Sequence, residues 1–432
     1  MHFFHYQGDE LRCEDVAVEY LANRYGTPLY IYSQRTLEQN FRRLDEALAP
    51  VRHLPCYAVK ANSNLAVLRV MADLGAGFDV VSGGELERVI AAGGKAEDCI
   101  FAGVAKTEPE IVRALRAGIH CFNVESVPEL ERIERVAADL GTVAPVAVRV
   151  NPDVKARTHA KITTGTYQNK FGIAFEQVER VYEHAARRRH LWLRGLQMHI
   201  GSQLTRADPF ESAVRKVAPL ALRLKNRYGI EFFSIGGGLG IVYEQALASG
   251  QSTWWTTPLG RRMLTPEQYA QRLLPLLRPL GLRILLEPGR FLTGNAGILV
   301  TRVEYIKQTG TKTFVIVDAA MTELIRPAFY DAYHEIVPVR KRRSTTVVCD
   351  VVGGVCESGD YFCKDRPLPR VREGDLLAIL SAGAYGSVMA SNYNTRPLAA
   401  EVLVRGARAA LVRKRQPIEA LWALEQLAPW QR

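Results

Sequence analysis

Five short stretches of the chain carry residue types that do chemistry: YAVKAN (57–62), MHIGSQ (198–203), GGGLG (236–240), EPGR (287–290) and GGVCESGD (353–360). Lys60 stands at the tip of an apolar run, where partial desolvation favours a nucleophilic amine able to add to an aldehyde. Taken alone it reads more plainly as a lysine snorkelling out of a strand end. His199 and Ser202 share the second stretch, and a histidine there is by itself an ordinary core residue. Gly236, Gly237 and Gly238 let backbone amides approach an anion such as phosphate, although a glycine run also makes a tight turn. Glu287 and Arg290, separated by Pro288 and Gly289, are either a salt-bridged cap on a core or a carboxylate and a guanidinium aimed at a ligand. Cys356, with Cys349 and Cys363 seven positions away on each side, is a metal ligand, a packing residue or a reactive thiol.

These stretches punctuate a regular rhythm. From residue 28, short runs rich in Val, Ile and Phe alternate with amphipathic segments such as NLAVLRVMADLG, the pattern of repeated strand–helix units. Strand candidates fall at 54–60, 77–82, 99–103, 121–126, 146–151, 193–201, 232–238 and 283–289. Eight strands with helices between them predict an α/β fold, a closed (β/α)8 barrel of the TIM type, whose functional residues gather at the C-terminal strand ends. The first four stretches close such strands. After Phe291 come strands without long helices between them, at 297–310, 312–320, 345–356, 375–385 and 399–406, which predict a second, mostly β domain of sandwich or barrel form. The expected division is 28–290 for the barrel and 1–27 with 291–432 for the β domain, whose sheet the N-terminal strand joins.

Composition narrows the class. The 432 residues exceed what one ordinary core serves, and 47% hydrophobic with 23% charged residues is a soluble globular balance. No apolar run is long enough for a membrane helix, and the opening MHFFHYQGDELRCEDV has acids and no sustained apolar core, so the expected compartment is the cytoplasm, with no membrane partner. The net charge of +11 is spread among acids apart from RRRH (187–190) and RKRR (340–343). Those runs read as solvated faces rather than a nucleic-acid surface, while a basic surface helps attract a small carboxylate. Seven cysteines, odd in number and without a CxxC, argue against a disulfide framework and a zinc ribbon, and no metal site is expected.

One barrel rim then holds an amine for an aldehyde, a phosphate cradle, an imidazole and a carboxylate, the parts that hold pyridoxal 5'-phosphate. In this reading Glu287 keeps the pyridine nitrogen protonated and His199 stacks on the ring.

The motifs, in this order, resemble the diaminopimelate decarboxylases of the alanine racemase-like, fold-type III pyridoxal-phosphate enzymes. The resemblance runs through GTPLYIYS, YAVKAN, FDVVSGGEL, NPDVKARTHAKITTG, NKFGI, MHIGSQ, GGGLG, EPGR, VDAAMTELIRPAFYDAYHE, CESGD and GAYGSVMASNYNTRP. It implies Lys60 as the lysine that carries the cofactor, with contacts to that cofactor from His199, Ser202, Gly236, Gly237, Gly238, Glu287, Pro288, Gly289, Arg290 and Tyr385. It implies substrate contacts from Arg290, Arg326, Tyr330, Glu357 and Tyr385, and catalysis by Lys60, His199 and Cys356. The implied reaction is decarboxylation of meso-2,6-diaminopimelate to L-lysine, the last step of bacterial lysine biosynthesis. The loop of Cys356 is implied to complete the site of a neighbouring subunit, hence a homodimer.

Physical chemistry accommodates these roles. Arg326 and Tyr330 are four apart and share a face if helical; a guanidinium fork and a phenol suit a carboxylate, and Glu357 suits an ammonium. An interface ion pair and packed rings are the alternatives. The scaffold also serves decarboxylases of ornithine, lysine or arginine, which generally place an aspartate after the reactive cysteine, where this chain has Glu357. A non-catalytic cofactor-binding homologue would have no use for Lys60, Cys356 and Tyr385 together. Residues 241–271 are longer than expected for the family; their Trp254 and Trp255 pack on the barrel wall or belong to a lid or subunit contact.

Overall fold

The computed structural model describes residues 2–154, 170–342 and 344–431. Most of NPDVKARTHAKITTG, the first residue of NKFGI and the last of RKRR lie outside the described residues. Contacts divide the chain into two units, Leu37–Ile241 with Thr256–Leu292, and Met1–Thr36 with Val242–Trp255 and Thr293–Arg432.

In the first unit the apolar runs become parallel strands buried on both faces, as strands covered by helices must be. They are His53–Ala58, Gly77–Val80, Cys99–Phe101, Cys121–Val124, Ala144–Asn151, Leu191–Met198, Phe232–Ser234 and Arg283–Leu286. Each pairs with the next, and the last pairs with the first, Ile284 opposite His53 and Leu286 opposite Pro55, so the barrel of eight closes. One packing layer inside it combines Leu54, Cys56, Ile100, Cys121, Ala147, Phe232 and Leu285. The intervening helices start where the sequence supplies caps: Asn64 accepts from Ala66 N–H, Ser82 from Glu85 N–H, and Thr265 and Gln268 form a capping box. Most strands stop a few residues before the ends expected of them. Lys60 therefore lies in a 3-10 turn, Val59–Ala61, rather than in the strand itself.

The second unit is built on a sheet ordered Tyr361–Pro369, Thr346–Val352, Lys312–Val317, Gly297–Thr309, Leu29–Ser33, Ala400–Arg405, Arg408–Arg413. Gly297–Thr309 is long enough to serve two neighbourhoods. Its first half pairs with Leu29–Ser33 and Leu376–Ile379, and beyond a shift in register at Val303/Tyr305 its second half pairs with Lys312–Val317. Leu11, Leu21, Ile31, Ile298, Val300, Ala378 and Val402 lie in its core.

Two expectations need correction. The N-terminal residues form a separate three-stranded sheet, Phe4–Gln7, Glu10–Cys13 and Val16–Ala17, bridged to Arg340, and it is Leu29–Ser33 that enters the large sheet. That strand, all five residues buried, was counted within the 28–290 barrel span; its partners lie far along the chain, and local periodicity does not reveal them. Residues 242–255 also fall in the β unit. Trp254 and Trp255 thus belong there and not to the barrel, packed edge-to-face at 5.2 Å, with Trp254 Nε1 donating to Gln245 Oε1 at 2.8 Å.

Candidate active site

At the barrel's C-terminal strand ends, the Lys60 amine meets a carboxylate. Its Nζ lies 2.5 Å from Asp79 Oδ2, and Asp79 is wholly buried, with Oδ1 lacking a hydrogen-bond partner among the described residues. The Lys60 side chain keeps 41% of its exposure, so it is partly accessible beside a buried carboxylate.

His199 follows the sixth strand, and its Nδ1 accepts from Gly237 N–H at 3.2 Å. Burial, then the positive charges of Arg149 and Lys60, hold the imidazole well below its ordinary pKa, so the ring is neutral and its proton sits on Nε2. Gly236 and Gly237 pass so close to neighbouring backbone that no side chain fits. A Cβ at Gly236 would lie 2.3 Å from Met198 O, and one at Gly237 2.1 Å from Glu287 O. The turn therefore offers bare backbone beside His199. Arg290 Nη2 donates to Ser202 Oγ at 3.1 Å, which places those two residues together. Pro288 O accepts from Ala58 N–H and Gly289 O from Leu292 N–H, so both residues hold the turn by backbone.

Glu287, 7% exposed, accepts from Ser234 Oγ at 2.7 Å and from Gln197 Nε2 at 3.0 Å. Burial, then the negative charge of Asp79, push its carboxyl up to about 7. Two buried carboxylates thus share the mouth with the positive charges of Lys60 and Arg149. Arg149 is itself held by Glu125 at 2.7 Å and lies 4.8 Å over the Phe171 ring.

The β unit holds the remaining predicted residues. Arg326 and Tyr330 open and close the short helix Arg326–Tyr330, and the guanidinium carbon lies 5.9 Å from the Tyr330 ring centre, so the spacing of four does bring them to one face. Cys356 and Glu357 are exposed on a loop pinned through its backbone: Val355 N–H and Met321 N–H donate to Asp360, and Cys356 N–H to Asn394 Oδ1 at 3.2 Å. Cys349 and Cys363 are buried in strands, which separates them in kind from Cys356. Tyr385 is half-buried with φ 56°, a left-handed conformation that costs a non-glycine residue about 1–3 kcal/mol and collects at functional sites.

Sequence reasoning passed over Asp79, Gln197, Ser234 and Arg149. The signal was available: each is a polar residue in a largely apolar barrel strand, and such residues face a partner or a ligand. A planar heterocycle bearing an aldehyde and a phosphate fits these groups. The partly exposed amine would take the aldehyde, the glycine turn leaves space that a Cβ would fill, and Glu287 is a buried carboxylate that a ring N–H would stabilise in its charged form.

Known proteins agree. The model of the pyridoxal-dependent decarboxylase pyridoxal binding domain matches residues 34–294. The chain is 49% identical to the diaminopimelate decarboxylase of Vibrio cholerae over 432 residues, 99% of this chain and 100% of that protein. It is 50% identical to that of Pseudomonas aeruginosa over the same shares of both chains. The crystal structure of diaminopimelate decarboxylase from Helicobacter pylori complexed with L-lysine is similar at a TM-score of 0.87 and 40% identity, covering 94% of this chain and 98% of that one. With a buried carboxylate, an accessible lysine and a glycine turn on one closed barrel, the chain belongs to the pyridoxal-dependent decarboxylases, in the diaminopimelate decarboxylase family.

Proposed function

We propose that the chain decarboxylates meso-2,6-diaminopimelate at its D-configured centre, giving L-lysine and carbon dioxide, with pyridoxal 5'-phosphate as cofactor. The observation that carries this is the barrel mouth, where the Lys60 amine, the glycine turn and buried Glu287 converge. When bound, pyridoxal phosphate supplies the electron sink for the pair left at the α-carbon as carbon dioxide departs. Lys60 would carry the cofactor's aldehyde, with the Asp79 carboxylate 2.5 Å from its amine to orient it. Glu287 would pair with the pyridine nitrogen, the backbone of Gly236 to Gly238 and the Ser202 hydroxyl would hold the phosphate with Tyr385, and the neutral imidazole of His199 would support the ring.

Arg326 and Tyr330 grip the carboxylate of the substrate's unreacting end, assisted by Arg290, and Glu357 binds the ammonium beside it. The Cys356 thiol then delivers its proton to the α-carbon that lost carbon dioxide, and the thiolate recovers a proton from solvent. An exposed loop carrying both a nucleophilic thiol and an acid suits a group offered to a second copy, so the working form in this reading is a homodimer with shared sites. Free thiols that are mostly buried suit the reducing cytoplasm.

The test is carbon dioxide release with added pyridoxal phosphate from meso-diaminopimelate, L-ornithine and L-lysine, run in parallel. Preference for either monocarboxylate overturns the assignment.

A further inference from the structure

The chain leaves two residues of its β unit unexplained: a histidine that is completely buried, and a tyrosine at the start of the long segment after the glycine turn. His334 is 0% exposed. Its Nδ1 lies 2.8 Å from Leu380 O, and a carbonyl only accepts, so the proton is on Nδ1. That leaves a lone pair on Nε2, and Nε2 accepts from Arg326 Nε at 3.2 Å. Both neighbours therefore demand the same neutral tautomer, and a charged imidazolium could not accept from the guanidinium.

Tyr243 completes the arrangement. Its ring centre is 5.3 Å from the Arg326 guanidinium carbon and 5.2 Å from the His334 ring, set edge-to-face at 82°. The segment that carries Tyr243 is tied down nearby, since Leu247 N–H donates to Glu335 Oε2 at 2.8 Å and Asn295 Nδ2 to Val242 O at 2.9 Å.

We propose that His334 and Tyr243 are positioning residues that hold the Arg326 guanidinium in the pose that grips the carboxylate of the substrate's unreacting end. The inference rests on the role given to Arg326 above. A guanidinium is planar, so anchoring Nε fixes the direction of the opposite Nη1–Nη2 edge, which binds a carboxylate through two parallel bonds. A neutral acceptor does this without cancelling the charge that the substrate needs, as a carboxylate in the same place would. The aromatic face fixes the tilt of the plane.

The experiment compares His334→Leu, His334→Gln and Tyr243→Ala in the holoenzyme. For each, KM and kcat for meso-diaminopimelate are measured, with inhibition by L-lysine, which keeps the gripped carboxylate, and by 1,5-diaminopentane, which lacks it. Loss of a hydrogen bond to a charged group is worth roughly tenfold or more, so His334→Leu is expected to raise KM and the L-lysine inhibition constant by about that factor. It leaves kcat within about twofold and the diamine constant unchanged, because neither depends on the gripped carboxylate. His334→Gln, which can accept from Nε and donate to Leu380 O, recovers most of the loss, and Tyr243→Ala shows a smaller shift of the same kind. Unchanged KM, a fall in kcat alone, or an equal loss for the diamine overturns the proposal. If His334→Leu does not fold, Tyr243→Ala decides by the same criteria. Arg326→Gln separates the two layers: if it too leaves KM unmoved, the role given to Arg326 fails, whereas if it alone raises KM, only the clamp fails.

Discussion

At the barrel mouth Lys60 is held by Asp79, Glu287 by Ser234 and Gln197, and His199 by Gly237, each partner coming from another strand end. On the β unit's loop, Cys356 and Glu357 are exposed, and the loop is fixed by the Asp360 carboxylate and by the bond from Cys356 N–H to Asn394 rather than through those two side chains. The mouth suits an occupant that stays, because buried charges in fixed geometry need no reorganisation when chemistry occurs. The loop suits a group that must meet a substrate which comes and goes. Damage to the two regions should therefore look different, with cofactor retention affected in one and turnover alone in the other.

The largest effect expected is at the mouth. Lys60→Ala should abolish turnover and lose the visible absorbance of lysine-bound cofactor after dialysis; a variant that keeps that band would break the comparison. Cys356→Ala should keep the band yet lose about 10²–10⁴-fold in kcat, the range of a lost proton donor. Cys363→Ala, buried in a strand, should leave kcat unchanged, and equal losses from both thiols would remove the distinction drawn for Cys356. Gly237→Ala pushes a Cβ against Glu287 O at 2.1 Å and should cost about 1–3 kcal/mol in a denaturant titration, with weaker cofactor retention.

The smallest effect concerns protons. Glu287's carboxyl rises from 4.5 to about 7, so between those values the folded chain keeps a proton that the unfolded chain has released. Stability of the cofactor-free protein should fall as pH rises through that window. Melting temperatures across it should decline less steeply for Glu287→Gln, and parallel slopes would place the titration elsewhere.

The barrel was legible because a parallel strand covered on both sides writes an unbroken apolar run, and all eight runs became strands. The site was legible where a residue type is conspicuous, as Lys60 and the glycines are. Asp79 was not, because a single acid in GFDVV acquires meaning only from an amine 19 residues away. Tyr361–Pro369 was missed for a different reason. It contains Lys364, Asp365 and two prolines, which only a strand at the margin of a sheet tolerates, and it stands at one end of its sheet. Arg326 and Tyr330 were named through the family resemblance and only their common face came from spacing, whereas His334 needed the position of Leu380 O to show its tautomer.

The place of Leu29–Ser33 bears on how the protein is made. Its neighbours in the sheet are Gly297–Thr309 and Ala400–Arg405. On the ribosome this apolar strand emerges early and waits, both edges open, while the whole barrel up to Arg283–Leu286 is synthesised and can close. Open apolar edges recruit other chains, so the nascent protein is most vulnerable to aggregation during that interval. A chain that stops before Ala400 has a finished barrel and a Leu29–Ser33 strand that still has one naked edge.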